Sequence, residues 1–231
     1  VNLSDRQKEI LASVVSEYSV SGKPVSSGEL IENCSFGYSP ATIRAEMNNL
    51  ENEGLLEKPH TSAGRIPTAQ GYRFYVNEVM QKGGLKEGEK KKIKVKVDNI
   101  SKDNNFSKEL AEVLAGFSES LALVGRIHEK HLYFSGLEDL FGRIDHNMFS
   151  HIAHFLEEVE RDFDFFFEGS EDAPSVFIGQ DHPFLQNTKC GLVLTRYKKD
   201  GDEGILALLG PDRMNYERNL CLLDYINELF N

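Results

Sequence analysis

Between Ser39 and Arg65 the chain carries side chains suited to hydrogen bonding with a polyanion rather than to making or breaking bonds. Ile43, Met47 and Leu50 recur at spacings of four and three residues, which marks one stripe of a helix. At about 100° per residue, the face opposite that stripe carries Ala41, Ala45, Asn48 and Asn49, with Thr42 and Arg44 at its flanks. These groups can read base edges in a major groove: arginine onto guanine, asparagine onto adenine, an alanine or threonine methyl onto the thymine methyl. Beyond the helix, Pro59 to Pro67 bound a loop of small and polar residues. Its hydroxyls, the free amides around Gly64 and the Arg65 guanidinium suit phosphate contact or insertion into a minor groove. The candidate DNA-binding residues are Ser39, Ala41, Thr42, Arg44, Ala45, Asn48, Asn49, His60, Thr61, Ser62, Gly64, Arg65 and Arg73. Glu46, about 60° off the buried stripe, reads instead as a flank residue that pairs with a neighbour. His60 suits either phosphate contact or ordering of its own loop.

Local signals predict the elements that position these residues. Ser4 with Gln7 forms a capping box ahead of a helix whose stripe is Ile10, Leu11, Val14, Val15 and Tyr18, stopped by Gly22 and Pro24. Ser26 with Glu29 starts a second helix ending near Cys34, and "SFGYS" follows as a loop. The third helix opens at Ser39, with Pro40 at the first helical position, and closes at Gly54. Leu55 to Glu57 is strand-like, and "TAQGYRFYVNEVM" reads as a helix with Tyr72, Phe74, Tyr75 and Val79 available for packing. Three helices followed by a short strand-and-loop wing are the winged variant of helix-turn-helix, whose third helix docks in the major groove.

The rest of the chain changes character. Gly83 to Asn105 is rich in Gly, Lys and Asp and reads as a linker, helix-capable through "EKKKIKVKV". From Phe106 a helix, the strands "LALVGRI" and "HLYFSG", a helical run from Phe149 to Phe167, the strands "SVFIG", "GLVLTRY" and "GILALLG", and a final helix follow. The expected organisation is α+β throughout: a winged helix-turn-helix domain at 1–82, a linker at 83–105, and at 106–231 an α+β domain with an antiparallel sheet of about five strands.

The formal net charge of −11 would argue against nucleic acid if it were evenly spread. It is not. Residues 1–96 hold 14 Lys+Arg against 12 Asp+Glu, whereas residues 97–231 hold 12 against 25. The pattern suggests a DNA-facing front and an acidic body. Lys82, Lys86 and the lysines from 90 to 96 suit either that front or a solvated linker. Cys34, Cys190 and Cys221 are scattered and odd in number, as expected of reduced thiols acting as small apolar residues. No apolar window approaches a membrane span and the N-terminus lacks a secretion signal, so a cytoplasmic protein is expected.

Other chemistries find little support. No nucleophile motif, phosphate-cradling Gly loop or HExxH pattern occurs, so neither an enzyme nor a cofactor is expected. His151, His154 and Glu158 are spaced one helical turn apart, as metal ligands or as a solvated helix flank. "FDFFFE", Phe163 to Glu168, is either an interaction patch or the end of a buried helix face.

"SPATIRAEMNNLENEGLLEKPHTSAGRIPTAQGYRFYV" resembles the N-terminal signature of the HrcA family of heat-inducible transcription repressors, and "SVFIG" with "LLGPDRMNYERNLCLLDYI" is similar to its C-terminal signature. The resemblance implies a winged-helix domain followed by a GAF-like domain. It implies a homodimer on an inverted-repeat, CIRCE-type operator in double-stranded DNA ahead of chaperone genes, acting as a negative regulator of heat-shock transcription. It also implies a GroEL-type chaperonin as a partner that supports the active repressor. The family usually has Asn at the place of Ala45 and Arg at the place of Gly28. It also usually inserts a dimerisation domain where "LALVGRI" here runs almost directly into "HLYFSG". The other function considered is a ligand-sensing transcription regulator whose GAF-like domain binds a small-molecule effector.

Overall fold

A computed structural model describes all residues except 35, 36, 82, 102–104, 143, 145, 169, 187 and 231, and leaves the side chains of 139, 146 and 147 undescribed. Parts of the expected 35–39 loop and of the expected 83–105 linker, and Lys82 of the lysine run, therefore lie outside the described residues. The chain divides into two compact units, Val1–Gln81 and Lys82–Asn231.

The first unit begins with α1 (Asp5–Ser21). The Ser4 hydroxyl accepts from the Gln7 N–H at 3.3 Å, the Gln7 side chain accepts from the Ser4 N–H at 2.9 Å, and Gly22 ends the helix in the left-handed region at φ 64°. A second capping box, Ser26 with Glu29, starts α2 (Ser27–Asn33). The backbone N–H and hydroxyl of Ser26, by hydrogen bonding to the Glu29 carboxylate, hold its carboxyl below the ordinary value. α3 (Pro40–Asn52) is capped by Ser39 and buries Ile43, Met47 and Leu50 in a unit where it packs on α1 and α2. Gly54, at φ 74°, then turns the chain into β1 (Leu56–Glu57), which pairs antiparallel with β2 (Ile66–Pro67) in the register Leu56↔Pro67 and Glu57↔Ile66. α4 (Ala69–Phe74) is capped by the Thr68 hydroxyl and runs on as a π-helical turn, Tyr75–Val79. Of the aromatic residues expected to pack there, Tyr72 is fully buried while Phe74 and Tyr75 are half-buried.

In the second unit α5 (Glu87–Asp98) is an ordered helix, with Ile93 and Val97 buried, that packs on α6 (Phe106–Ser118). The stretch read as a linker thus contributes a helix to this unit. β3 (Leu121–Arg126) and β4 (His131–Ser135) form a hairpin, followed by the short α7 (Leu137–Phe141), α8 (His146–Arg161) and α9 (Phe163–Glu168). The helical run expected from Phe149 to Phe167 is therefore two helices, and α7 was not anticipated. β5 (Ser175–Ile178), β6 (Cys190–Lys199), β7 (Asp202–Pro211) and α10 (Tyr216–Phe230) complete the chain.

The five strands form one antiparallel sheet in the order β4-β3-β7-β6-β5. Asp200 and Gly201, both at positive φ (52° and 89°), make the two-residue turn between β6 and β7, as a tight hairpin with matching twist requires. Alternation splits the strands by face. Leu121, Leu123, Leu192, Leu194, Ile205, Ala207 and Leu209 join a core with Ile152, Phe155, Val159, Phe163 and Phe166 of α8 and α9. α6 packs on β3 and β4, and α10 on β6. The unit is α+β with helices covering an antiparallel sheet, as expected.

Candidate nucleic-acid interface

The exposed side of α3 follows from its buried side. With Ile43, Met47 and Leu50 committed to the core, Ala41, Arg44, Ala45, Asn48 and Asn49 are exposed, Ser39 is exposed at the cap, and Thr42 is half-buried. The Thr42 N–H donates to the Ser39 hydroxyl at 3.1 Å, and the two hydroxyls lie 2.9 Å apart. Arg44 makes no hydrogen bond or ion pair among the described residues. Glu46, at the edge of the buried stripe, is only 8% exposed. It pairs with Arg6 at 2.8 Å and accepts from the Asn49 amide nitrogen at 3.0 Å. That is the neighbour-pairing role expected of it.

The wing is held against this helix by backbone and side chain together. Val25, just before α2, forms an antiparallel bridge with Arg65, with N–H to C=O distances of 2.8 Å in both directions. Gly64 permits the approach: a Cβ there would lie 2.4 Å from the Val25 carbonyl oxygen. The Arg65 side chain then crosses to α3. Its Nε donates to Glu51 Oε2 at 3.0 Å, and its Nη2 donates to Asn48 Oδ1. Lys58 Nζ lies 3.3 Å from the same Glu51 oxygen. At the tip, His60, Thr61 and Ser62 are exposed, and the Ala63 N–H closes a turn onto the His60 carbonyl at 3.0 Å. Arg73 is half-buried in the last turn of α4.

The structure thus brings the α3 candidates together on one open face and sets His60, Thr61 and Ser62 at the wing tip. Arg65 departs from its expected place. At 7% exposure, with its guanidinium on Glu51 and Asn48, it braces the wing on the helix instead of offering a free charge to phosphate. Sequence reasoning missed Glu51, the anion that gathers Arg65 and Lys58, and Arg6, the partner of Glu46. Both pairings join residues distant in the chain, and nothing in local spacing points to them.

The other candidate chemistries resolve locally. On α8, His151 is half-buried and His154 exposed, while Glu158 pairs with Arg161. Among the described residues no group of three His, Cys, Asp or Glu side chains could hold a metal ion. In "FDFFFE", Phe163 and Phe166 are core residues, Phe165 is exposed, and the Arg196 guanidinium sits 4.4 Å from the Phe167 ring centre. The three cysteines are free thiols, and burial pushes that of Cys190 up to about 12. His182 is buried among Phe166, Phe177 and Phe184, and desolvation lowers its pKa to about 4. No helix among the described residues is long and apolar enough to cross a membrane.

Comparison with known proteins agrees with this architecture. Residues 2–81 match the family model described as winged helix-turn-helix transcription repressor, HrcA DNA-binding, and residues 66–220 match the model described as HrcA protein C terminal domain. The heat-inducible transcription repressor HrcA of Prosthecochloris aestuarii is 39% identical over 128 residues, covering 54% of this chain and 36% of that protein. The protein of the same name from Brevibacillus brevis is 50% identical over 92 residues, covering 40% of this chain and 27% of that one. The chain spans about a third of the length of these curated relatives. A crystal structure at 2.2 Å resolution, described as that of a hypothetical protein, superposes with a TM-score of 0.76 over 99% of both chains at 22% identity, a likeness of fold.

Proposed function

The chain belongs to the HrcA family, and from that premise we propose that it is a sequence-specific DNA-binding repressor, a negative regulator of heat-shock transcription. It acts by occupying DNA and not as an enzyme; the curated relatives it matches are named as transcription repressors. The observation that carries this reading is the open face of α3. Arg44, Asn48 and Asn49 are exposed there, Thr42 is half-buried at its edge, and a braced wing lies beside them.

In this reading α3 enters the major groove, where Arg44 and the two asparagines meet base edges and Ala41 and Ala45 allow close approach. Ser39, Thr42, His60, Thr61, Ser62, the backbone at Gly64, and Arg73 contact the sugar-phosphate backbone and set the register. Arg65 serves by fixing the wing. We assign residues 1–82 to DNA binding and the C-terminal part, from 106, to a GAF-like domain. Two protomers on an inverted repeat would each read one half-site, so dimer geometry sets the spacing. The homodimer, the CIRCE-type operator and the supporting GroEL-type chaperonin are carried by the family resemblance, as is a cytoplasmic location.

The test is a gel shift on an inverted-repeat probe against a scrambled duplex at two salt concentrations, with the complex sized by light scattering. Preferential retention of the inverted repeat at the higher salt, with two protomers per duplex, is the expected result. Equal affinity for both probes would remove the repressor reading.

A further inference from the structure

The neighbouring asparagines of the α3 face are tied to groups of opposite hydrogen-bonding character. A guanidinium only donates, so the Asn48 atom facing Arg65 is its oxygen. A carboxylate only accepts, so the Asn49 atom facing Glu46 is its amide nitrogen. These orientations follow from the partners' chemistry, which removes the usual ambiguity between the two ends of a carboxamide. Each tie is itself anchored. Arg65 is held by Glu51 at 3.0 Å and by the bridge to Val25, and Glu46 is held by Arg6 at 2.8 Å.

We infer that these ties polarise the reading face, so that Asn48 offers N–H donors to the DNA and Asn49 offers a carbonyl acceptor. The inference rests on the DNA-binding reading above and specifies its base preference. An unrestrained asparagine grips adenine with both ends at once, oxygen on the amino group and nitrogen on N7. Asn48 has its oxygen turned to Arg65, which disfavours that grip. Its free donors suit the paired acceptors of guanine or the O4 of thymine. Asn49 has its nitrogen turned to Glu46, and its free oxygen suits the amino group of cytosine or adenine. Arg65 and Glu46 are therefore positioning residues that set specificity through the asparagines they orient.

The test measures the affinity of the full chain by fluorescence anisotropy on an inverted-repeat operator and on a panel carrying all four base pairs at each half-site position. Asn48→Ala and Asn49→Ala locate the two contacted pairs as the positions where discrimination vanishes. Asn48→Asp keeps the partnership with Arg65 but presents oxygen on both sides. It should lose about tenfold or more on the original operator and prefer the reversed pair at the Asn48 position, C·G for G·C or A·T for T·A. Glu46→Ala should relax discrimination at the Asn49 position alone. The polarity is overturned if Asn48→Asp keeps the original preference, or weakens all four pairs by one common factor while the wild type still discriminates. A wild-type chain that binds operator and scrambled duplex alike removes the DNA-binding reading itself, and the polarity with it.

Discussion

The Arg65 guanidinium donates through Nη2 to the carboxamide oxygen of Asn48, joining the wing to the helix whose open face it flanks. The same guanidinium, nearly buried, holds Glu51 through Nε at 3.0 Å. A cation that looks from its position in a polar loop like a phosphate contact is an internal brace.

Replacing Arg65 by Ala should therefore act first on folding. The part-buried charged pair with Glu51 loses its donor, which costs about 1–3 kcal/mol, read as a lower urea midpoint. Operator affinity should fall, but the slope of log affinity against log salt should stay within a few tenths of the wild-type value. A residue that neutralises a phosphate would lower that slope by about one unit.

Arg44 sits at the other extreme. It is exposed and makes no ion pair among the described residues, so Arg44→Ala should leave the unfolding free energy within about 0.5 kcal/mol of wild type. Its effect should appear on DNA, as a loss of about 1–3 kcal/mol that relaxes preference at one base pair per half-site. A binding panel with substitutions at each position reads this directly.

Gly64 has no room for a side chain. In Gly64→Ala the new Cβ would meet the Val25 carbonyl at 2.4 Å, so the wing must lift and the two 2.8 Å hydrogen bonds of the Val25–Arg65 bridge must lengthen. We expect a loss of about 1–3 kcal/mol and, in hydrogen exchange, faster exchange of the Val25 and Arg65 amides while the α1 core stays protected.

His182 gives the second unit an acid limit. Its imidazole is held neutral by burial, with a pKa near 4 against 6.5 for an unperturbed histidine, and its Nδ1 accepts from the Phe184 N–H at 3.3 Å. Because the folded value is depressed, the contribution is complete above about pH 6.5 and is lost as pH falls through about 4. Over that window stability should drop by up to about 1.4 kcal/mol per pH unit. His182→Gln, measured by urea denaturation at pH 7.5 and 5, should be less stable than the wild type at pH 7.5 and should lose less stability than the wild type between pH 7.5 and pH 5.

Much of the first unit was legible in the chain because its signals are local. Both capping boxes, the Pro40 start, the Ile43–Met47–Leu50 stripe and the stop at Gly54 act within a few residues, and the structure uses each one. The Asp200–Gly201 turn falls within residues 198–203, the gap between the strand-like runs "GLVLTRY" and "GILALLG". Helix α5 was harder to read: Ile93 and Val97 are one helical turn apart in a run of lysines, too sparse a stripe to distinguish from a solvated segment. The inward turn of Arg65 was not legible at all. Its partners Glu51 and Asn48 lie 14 and 17 residues away, and only the folded wing brings them within reach. Lys58 and Arg65 count toward the surplus of cations in residues 1–96, but both are paired with Glu51.

The anchored asparagines bear on the thermodynamics of association. Side chains that must find one rotamer at the moment of contact lose freedom at that moment. Asn48 and Asn49 have already lost theirs when the domain folds, held by Arg65 and Glu46. In the DNA-binding reading proposed above, the first unit would meet a duplex with these two side chains already set. Calorimetry should record a smaller entropic penalty on docking for the native chain than for a copy in which Glu46 has been removed and Asn49 swings loose.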